Sequence, residues 1–217
     1  GRAALLFLDR RRSLRAIAAA TPSPRRPPGP GTLTVVVTCF DMGGLLADTI
    51  ESVWSANRRP DELLLVDDGS GDGKTEAVIG VLAQRAAKSG LPLTVIRQSN
   101  QGLAAARNAG LAQATGEFIS YLDGDDLIDP AFYQIAVARL QESPTLGGVA
   151  AWALCFGDSV PDSFWNAPQP ELPLLLVENT VIVPCVVRTE TLRQLGGYDV
   201  RQRLNYEDWE LSVRLLA

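Results

Sequence analysis

Apolar runs and amphipathic segments alternate along the chain from residue 33 onward. The run LTVVVTC at 33–39 is typical of a strand buried on both faces, and Leu46, Ile50 and Trp54 then recur at helical spacing. The same order recurs with ELLLVDD before a helix at about 75–88, LTVIRQ before GLAAARNAGLAQAT, and GEFISYLD before a helix beginning near 129–130. Strands and helices alternating every ~30 residues predict an α/β fold, with a mainly parallel sheet flanked by helices.

The second half of the chain has a looser pattern. After Gly147 come GVAAWALCFGD, a Pro-rich loop at 161–173, TVIVPCVV, and a final helix near 206–216. We interpret this half as an extension of the sheet that closes over a ligand-binding crevice at one edge of the sheet. Ligands in such sheets bind at the carboxyl ends of the strands, so TCF at 38–40, DDG at 67–69 and DGD at 123–125 are predicted to converge there.

Composition divides the chain into two parts. Residues 1–31 are predicted to form a basic amphipathic helix followed by a Pro-rich linker, and 32–217 to form one folded domain that we expect to continue beyond residue 217. The net charge of −5 includes seven Arg and one Asp within residues 1–30, so the rest carries 13 basic and 24 acidic side chains. A body this acidic argues against nucleic-acid binding. For the basic helix, a solvated end of an upstream domain and peripheral membrane contact stay open.

Residue usage narrows the chemistry. The chain has no histidine, which excludes Ser/His and Cys/His nucleophile pairs, so carboxylates must perform acid and base chemistry. Its three cysteines are widely spaced, which indicates reduced thiols and therefore a cytoplasmic protein. Any membrane contact is expected on the cytoplasmic face of the membrane.

The stretch LLLVDDGSGDGKT at 63–75 ends like a phosphate-binding loop. Such a loop needs a glycine at the position of Asp68, and acidic side chains here would repel a phosphate by roughly 4 kcal/mol per contact at ~4 Å and an effective dielectric of ~20. Asp67 and Asp68 instead offer acceptors for the N–H of a base or for ribose hydroxyls. The alternative is that one of them caps the next helix.

A second acidic cluster follows the fourth strand, in YLDGDDLIDP. Asp123, Asp125 and Asp126 lie within four positions, where uncompensated carboxylates repel each other. A hard divalent cation, Mg²⁺ or Mn²⁺, removes that repulsion and can bridge to substrate phosphates. The alternative is a solvated acidic turn.

Three ordered blocks of this sequence resemble family 2 of the glycosyltransferases. They are VVVTCFDMGGLLADTIESVWSANRRPDELLLVDDGS, RQSNQGLAAARNAGLAQATGEFISYLDGDDLIDP and LGGYDVRQRLNYEDWELSVRL. The resemblance implies a GT-A fold and an inverting, metal-dependent enzyme. Its donor would be a nucleoside-diphosphate sugar, with UDP the expected nucleotide, and its acceptor a glycan, lipid-linked or protein hydroxyl, as in polysaccharide biosynthesis.

The resemblance also implies roles for residues at the first two strand ends. Phe40 supplies an aromatic face to the base and Thr38 a polar contact. Asp67 accepts from the pyrimidine N–H, with Asp68 beside it. The family usually reads Pro-x-Tyr-Asn where this chain reads Thr38-Cys39-Phe40-Asp41.

Further roles fall on the later blocks. Arg107, in the ARN of the second block, faces the donor, and Asp123 meets the ribose. The DXD motif then makes Asp125 the metal ligand and Asp126 a second one. In the third block Glu207 and Asp208 match the acid pair on the acceptor side, with Asp208 the catalytic base; acids are also common at helix starts for purely electrostatic reasons.

Two other functions compete with this interpretation. A non-catalytic domain of the same fold would bind a sugar nucleotide or a partner without transferring anything. A nucleotidyltransferase would need a basic, glycine-rich loop after the first strand, whereas TCFDMGG contains no Lys or Arg.

Overall fold

A computed structural model describes residues 29–156, 163–165, 170–181, 185–202 and 206–217. The predicted basic helix and nearly all of the Pro-rich linker, at 1–28, lie outside these residues. None of the helices in the described part of the chain is both long and apolar enough to cross a membrane.

Six strands form the central sheet. β1 (Leu33–Cys39), β2 (Glu62–Asp67), β3 (Thr94–Arg97) and β4 (Phe118–Asp123) pair in parallel, as predicted, while β5 (Gly148–Ala150) and β8 (Cys185–Arg188) extend the sheet in antiparallel pairing. The strand order is β3-β2-β1-β4-β8-β5. A separate two-stranded sheet contains β6 (Ala153–Cys155) and β7 (Ser163–Trp165).

Helices cover both faces of the sheet. On one face α1 (Leu46–Trp54), α2 (Lys74–Ser89) and α4 (Phe132–Glu142) share a core with Val35 and Val37 of β1. On the other face α3 (Leu103–Gln113), α6 (Thr189–Leu195) and α7 (Glu207–Leu216) pack with Val36. Because both faces are covered, β1 is buried at every position and apolar at five of seven. The α/β fold predicted from the sequence is confirmed.

Helix α3 lies unusually close to the sheet. A Cβ on Gly110 would come within 2.9 Å of Val36 Cγ2 and closer still to Cγ1, so only glycine fits between helix and strand. About one turn before Gly110 on the same helix, Arg107 contacts Asp123 at the end of β4.

The structure departs from the predicted elements in three places. The helix α6 was not predicted, since TETLRQL offers only two large apolar residues. The Pro-rich stretch contains β7 and the start of the short helix α5 (Leu172–Leu175). The helix expected near 129–130 begins at Phe132, because the side chain of Asp129 accepts from the N–H of Ala131 in a turn that precedes it.

Candidate functional site

The three predicted strand ends meet at one edge of the sheet. Thr38 pairs in register with Asp123, and Cys39 pairs with Asp67. A cleft of about 390 Å³ opens at this edge. Its lining includes five of the residues singled out from the sequence: Thr38, Phe40, Asp68, Asp123 and Asp125.

Asp68 holds the loop between β3 and α3. Its Oδ1 accepts from Gln98 Nε2 at 2.7 Å and from the N–H of Gln101 at 2.9 Å, and its Oδ2 accepts from the N–H of Gly102 at 2.8 Å. The neighbouring Asp67 is also buried, and its Oδ1 accepts from the N–H of Ser70 at 3.0 Å. Asp68 therefore holds part of the cleft lining in place. Asp67 is not among the lining residues, and among the described contacts only its Oδ1 accepts a hydrogen bond.

The glycine-rich stretch after β2 has a capping role, and the cap is neither Asp67 nor Asp68. Asp72 accepts from the backbone N–H of Thr75 at 2.9 Å and from its hydroxyl at 3.1 Å, which satisfies the first turn of α2. The bond from the Thr75 N–H is the main reason that the pKa of the Asp72 carboxyl is lowered. Lys74 is exposed at the start of this helix.

Asp41 joins the loop after β1 to the loop after β2. Its backbone has φ 55°, a left-handed conformation that Asp, Asn and Gly adopt most easily. Its Oδ1 accepts from the N–H groups of Gly71 at 2.8 Å and Asp72 at 3.1 Å, and its own N–H donates to Ser70 Oγ at 2.9 Å. The preceding Phe40 is 44% exposed and turned toward the cleft that it lines.

Asp123 occupies the centre of the polar network at the end of β4. Its Oδ1 accepts from the Thr38 hydroxyl at 3.2 Å and from Arg107 Nη2 at 2.9 Å, and its Oδ2 lies 3.2 Å from the same nitrogen. The hydroxyl of Thr38 thus donates to Asp123, so two of the predicted donor-binding residues contact each other directly.

Arg107 connects this network to the start of α7. Its guanidinium is 2% exposed, and Nη1 donates to Glu207 Oε1 at 2.7 Å. The guanidinium carbon lies 5.2 Å from the ring centre of Tyr198, which adds a cation–π contact. Two carboxylates separated by 84 residues in the sequence, Asp123 and Glu207, therefore share one buried cation.

Asp208 follows Glu207 in the first turn of α7 and is only partly buried. Its Oδ1 accepts from the N–H of Trp209 at 2.7 Å, and Asn179 Nδ2 lies 3.5 Å from its Oδ2. The indole N–H of Trp209 donates to the carbonyl of Leu175 at 2.6 Å, which ties α7 to α5. Neither Glu207 nor Asp208 lines the cleft itself.

The acidic turn after β4 has the chemistry of a cation site. Although the Asp126 residue reaches solvent, the protein atoms around its carboxyl group partly desolvate it and, with the neighbouring carboxylates of Asp123 and Asp125, raise its pKa to about 6. Within the described ranges, no group of three or more acidic, histidine or cysteine side chains is arranged to hold a metal ion alone. Mg²⁺ is commonly held by one or two carboxylates, several waters and substrate phosphates, which the exposed Asp125 and Asp126 fit.

The model of the family "Glycosyl transferase family 2" matches residues 34–176, more than half of the chain. The chain belongs to glycosyl transferase family 2. Among curated relatives of this family 2 chain, the putative glycosyltransferase EpsE of Bacillus subtilis is 30% identical over 186 residues, which are 84% of this chain and 66% of EpsE. The cholesterol galactosyltransferase of Borreliella burgdorferi is 30% identical over 107 residues, or 49% of this chain and 28% of that protein.

Solved glycosyltransferase structures share the fold of the family 2 chain. S. aureus TarS 1-349 in complex with UDP superposes with a TM-score of 0.66 at 21% identity, over 85% of this chain and 55% of TarS 1-349. The mannosyltransferase PcManGT from Pyrobaculum calidifontis, in complex with GDP-Man and Mn²⁺, gives a TM-score of 0.59 at 22% identity, over 91% of this chain and 55% of PcManGT. Together they establish a GT-A fold. The chain spans only part of the length of these relatives.

Several residues of the family 2 site were not predicted from the sequence. Asp41 was noticed only as a departure from the family pattern, and Asn179 lies in a segment without periodicity. Tyr198 lies in the LGGYD stretch, where the paired glycines signal a turn but nothing indicates that its ring packs against Arg107. The contact between Gln98 and Asp68 does not follow from the sequence, because the two residues are 30 positions apart.

Proposed function

We propose that this chain transfers a sugar from a nucleoside-diphosphate sugar to an acceptor hydroxyl, with inversion at the anomeric carbon. The observation that carries the proposal is the cleft at the ends of β1, β2 and β4, whose lining includes the exposed ring of Phe40 together with Asp123 and Asp125 of the acidic turn. Family membership supports glycosyl transfer. UDP is the proposed nucleotide, because the related fold of TarS 1-349 is known in complex with UDP.

The donor would lie along this cleft. Phe40 offers its exposed ring to the base, and Asp67 keeps an oxygen with which to accept from a ring N–H. Asp68 contributes indirectly, since its carboxylate is committed to the loop that lines the cleft. Thr38 and Asp123, which both line the cleft, offer oxygens to the ribose.

We assign Asp125, with Asp126, to a divalent cation, Mn²⁺ or Mg²⁺. When bound, such a cation supplies positive charge that stabilises the departing diphosphate. Mn²⁺ in the PcManGT complex supports this assignment by analogy of fold. The three carboxylates of Asp123, Asp125 and Asp126, which lie within four positions of one turn, support it from this chain's own residues.

Asp208 is the proposed general base. It accepts the proton of an acceptor hydroxyl while that oxygen forms a bond to the anomeric carbon, and the bond to the diphosphate breaks with its electron pair leaving on the nucleotide. One displacement inverts the configuration without a covalent enzyme intermediate. The acceptor would be a glycan, a lipid-linked sugar or a protein, and residues 1–20 are proposed to provide peripheral contact with the cytoplasmic face of a membrane.

The proposal is tested by incubating the chain with UDP-, dTDP- and GDP-sugars and Mn²⁺, and measuring the nucleoside diphosphate released to water or to added acceptors. Release with one class of donor is expected. Asp208→Asn should lower it by ~10²-fold or more, the usual contribution of a general base. If the chain binds UDP but releases nothing in any combination, it is a non-catalytic binding domain; if it neither binds nor releases, the proposal is wrong.

A further inference from the structure

Glu207 stands beside the proposed base, yet its carboxylate has a different environment. The residue is 5% exposed, and its Oε1 accepts from Arg107. A carboxylate that is buried and paired in this way is poorly placed to take a proton from an acceptor arriving from solvent. We propose that Glu207 is a positioning residue, which acts through Arg107 to hold Asp208 in place relative to the donor end of β4. This inference rests on the proposed function.

The first step of the argument is that Arg107 itself is fixed. One nitrogen of its guanidinium contacts both oxygens of Asp123, at 2.9 and 3.2 Å, while the other contacts Glu207 at 2.7 Å. The ring of Tyr198 packs against its face. The next residue, Asn108, donates to the carbonyl of Tyr198 and accepts from its N–H, both at 2.8 Å, so the ring is held from the same helix.

The second step concerns what else holds α7. The helix packs against α5 and α6. Towards its far end Arg214 donates to the carbonyls of Leu195 and Gly197, each at 2.8 Å, which ties the helix to the end of α6. At the first turn, Glu207 contacts Arg107 of α3, which in turn contacts Asp123 at the end of β4. The indole N–H of Trp209 also holds this turn, by donating to the carbonyl of Leu175 in α5. Asp208 lies between Glu207 and Trp209, so the contact with Arg107 fixes its backbone relative to the donor end of β4.

The third step is that the linkage requires a guanidinium. Arginine presents several N–H donors in a rigid plane and can bind two carboxylates at once, whereas the ammonium of lysine is a single point of charge. Asp123 at the donor site and Glu207 at the base site therefore depend on the same group. A misplacement of Asp208 by ~1 Å from the reacting hydroxyl can lower the rate by ~10²-fold, even though the donor still binds.

The test compares Glu207→Gln, Arg107→Lys and the double variant with the unchanged chain. UDP affinity is measured by calorimetry with Mn²⁺, and kcat by release of UDP from whichever UDP-sugar the unchanged chain hydrolyses. For Glu207→Gln we expect kcat to fall at least ~10-fold, with the Kd of UDP within ~3-fold of the original.

The double variant should be no slower than Arg107→Lys alone, because both changes break the same linkage. Glu210→Gln, on the same helix but paired with Arg214, is the matched control and should keep its kcat within ~3-fold.

A pH profile separates positioning from proton transfer. If Glu207 only positions the base, Glu207→Gln should keep the fall of kcat/KM at low pH that general-base catalysis produces, with only the plateau lowered. Loss of that acidic limb would mean that Glu207 is itself the base, and independent, multiplicative effects of the two substitutions would mean that it does not act through Arg107. Either result overturns the inference while leaving glycosyl transfer intact. If the unchanged chain releases no UDP at all, the proposed function fails, and the inference fails with it.

Discussion

Gly110→Ala tests the packing that brings α3 to the site. The new methyl group would meet three atoms of Val36, with Cβ at 3.2 Å, Cγ2 at 2.9 Å and Cγ1 closer still. Val36 is fully buried in the middle of β1, and its branched side chain has little rotamer freedom with which to move aside. The helix must therefore shift away from the sheet.

The expected change in the free energy of unfolding is the difference between two opposing effects. Forcing extra atoms into a packed core costs ~1–3 kcal/mol, and three contacts with an immobile side chain favour the upper end of that range. Replacing a helical glycine by alanine by itself raises the free energy of unfolding by ~0.5–1 kcal/mol. We expect Gly110→Ala to lower the free energy of unfolding by about 2 kcal/mol.

Gly80→Ala is the matched control, because a Cβ on Gly80 in α2 meets nothing within 4 Å. It should raise the free energy of unfolding by ~0.5–1 kcal/mol. Urea unfolding followed by circular dichroism measures both variants, and an m-value of ~2 kcal/mol/M converts the expected loss into a midpoint ~1 M lower for Gly110→Ala. Equal stability of the two variants would refute the close approach of α3 to β1.

Three further predictions concern the cleft. Asp41→Asn keeps both the acceptor oxygen and the tolerance of positive φ, so its affinity for UDP, measured by calorimetry with Mn²⁺, should stay within ~3-fold of the original. Asp41→Gly tolerates positive φ but loses the acceptor oxygen, so it should bind UDP ~10-fold more weakly. Equal affinities would contradict the link between the two loops. Asp68→Ala removes the acceptor of three hydrogen bonds and should lower the free energy of unfolding in urea by ~3 kcal/mol; a loss under ~0.5 kcal/mol would contradict its structural role. Burial, and then the charge of Asp67, raise the pKa of the Cys39 thiol to about 12, so this thiol stays protonated at pH 8. Iodoacetamide should therefore label the exposed Cys155 before Cys39, as measured by peptide mass spectrometry. Equal labelling rates of the two cysteines would contradict the buried environment of Cys39.

The first half of the fold follows from the sequence because β1, β2 and β4 are almost wholly buried, while only the edge strand β3 is not. Buried strands of this kind appear as mainly apolar runs, and the predicted bounds of β1 agree with the structure at both ends. The helix α6 was missed because its stability comes from packing against β8 and α7, which its own sequence does not reveal.

The candidate site was predictable at the level of strand ends and less so at the level of hydrogen bonds. Acidic residues after β2 and β4 were expected at one edge, and Asp68 and Asp123 line the same cleft there. The partners of Asp68 come from a loop about 30 residues later, and Glu207 reaches Arg107 across 100 residues. Such pairings depend on the folded backbone, so residue type and spacing identify the participants without identifying their contacts.

The central claim is that the cleft binds a nucleoside diphosphate together with a divalent cation. The most direct measurement is calorimetric titration of UDP into the chain, with Mn²⁺ and with excess chelator, repeated for Asp125→Asn. The account predicts binding with Mn²⁺, a loss of affinity of at least ~10-fold in chelator, and a similar loss in the variant, whose free energy of unfolding should change by no more than ~0.5 kcal/mol because the side chain is exposed. Equal affinity with and without the metal would contradict the cation site, and no binding under any condition would contradict the account as a whole.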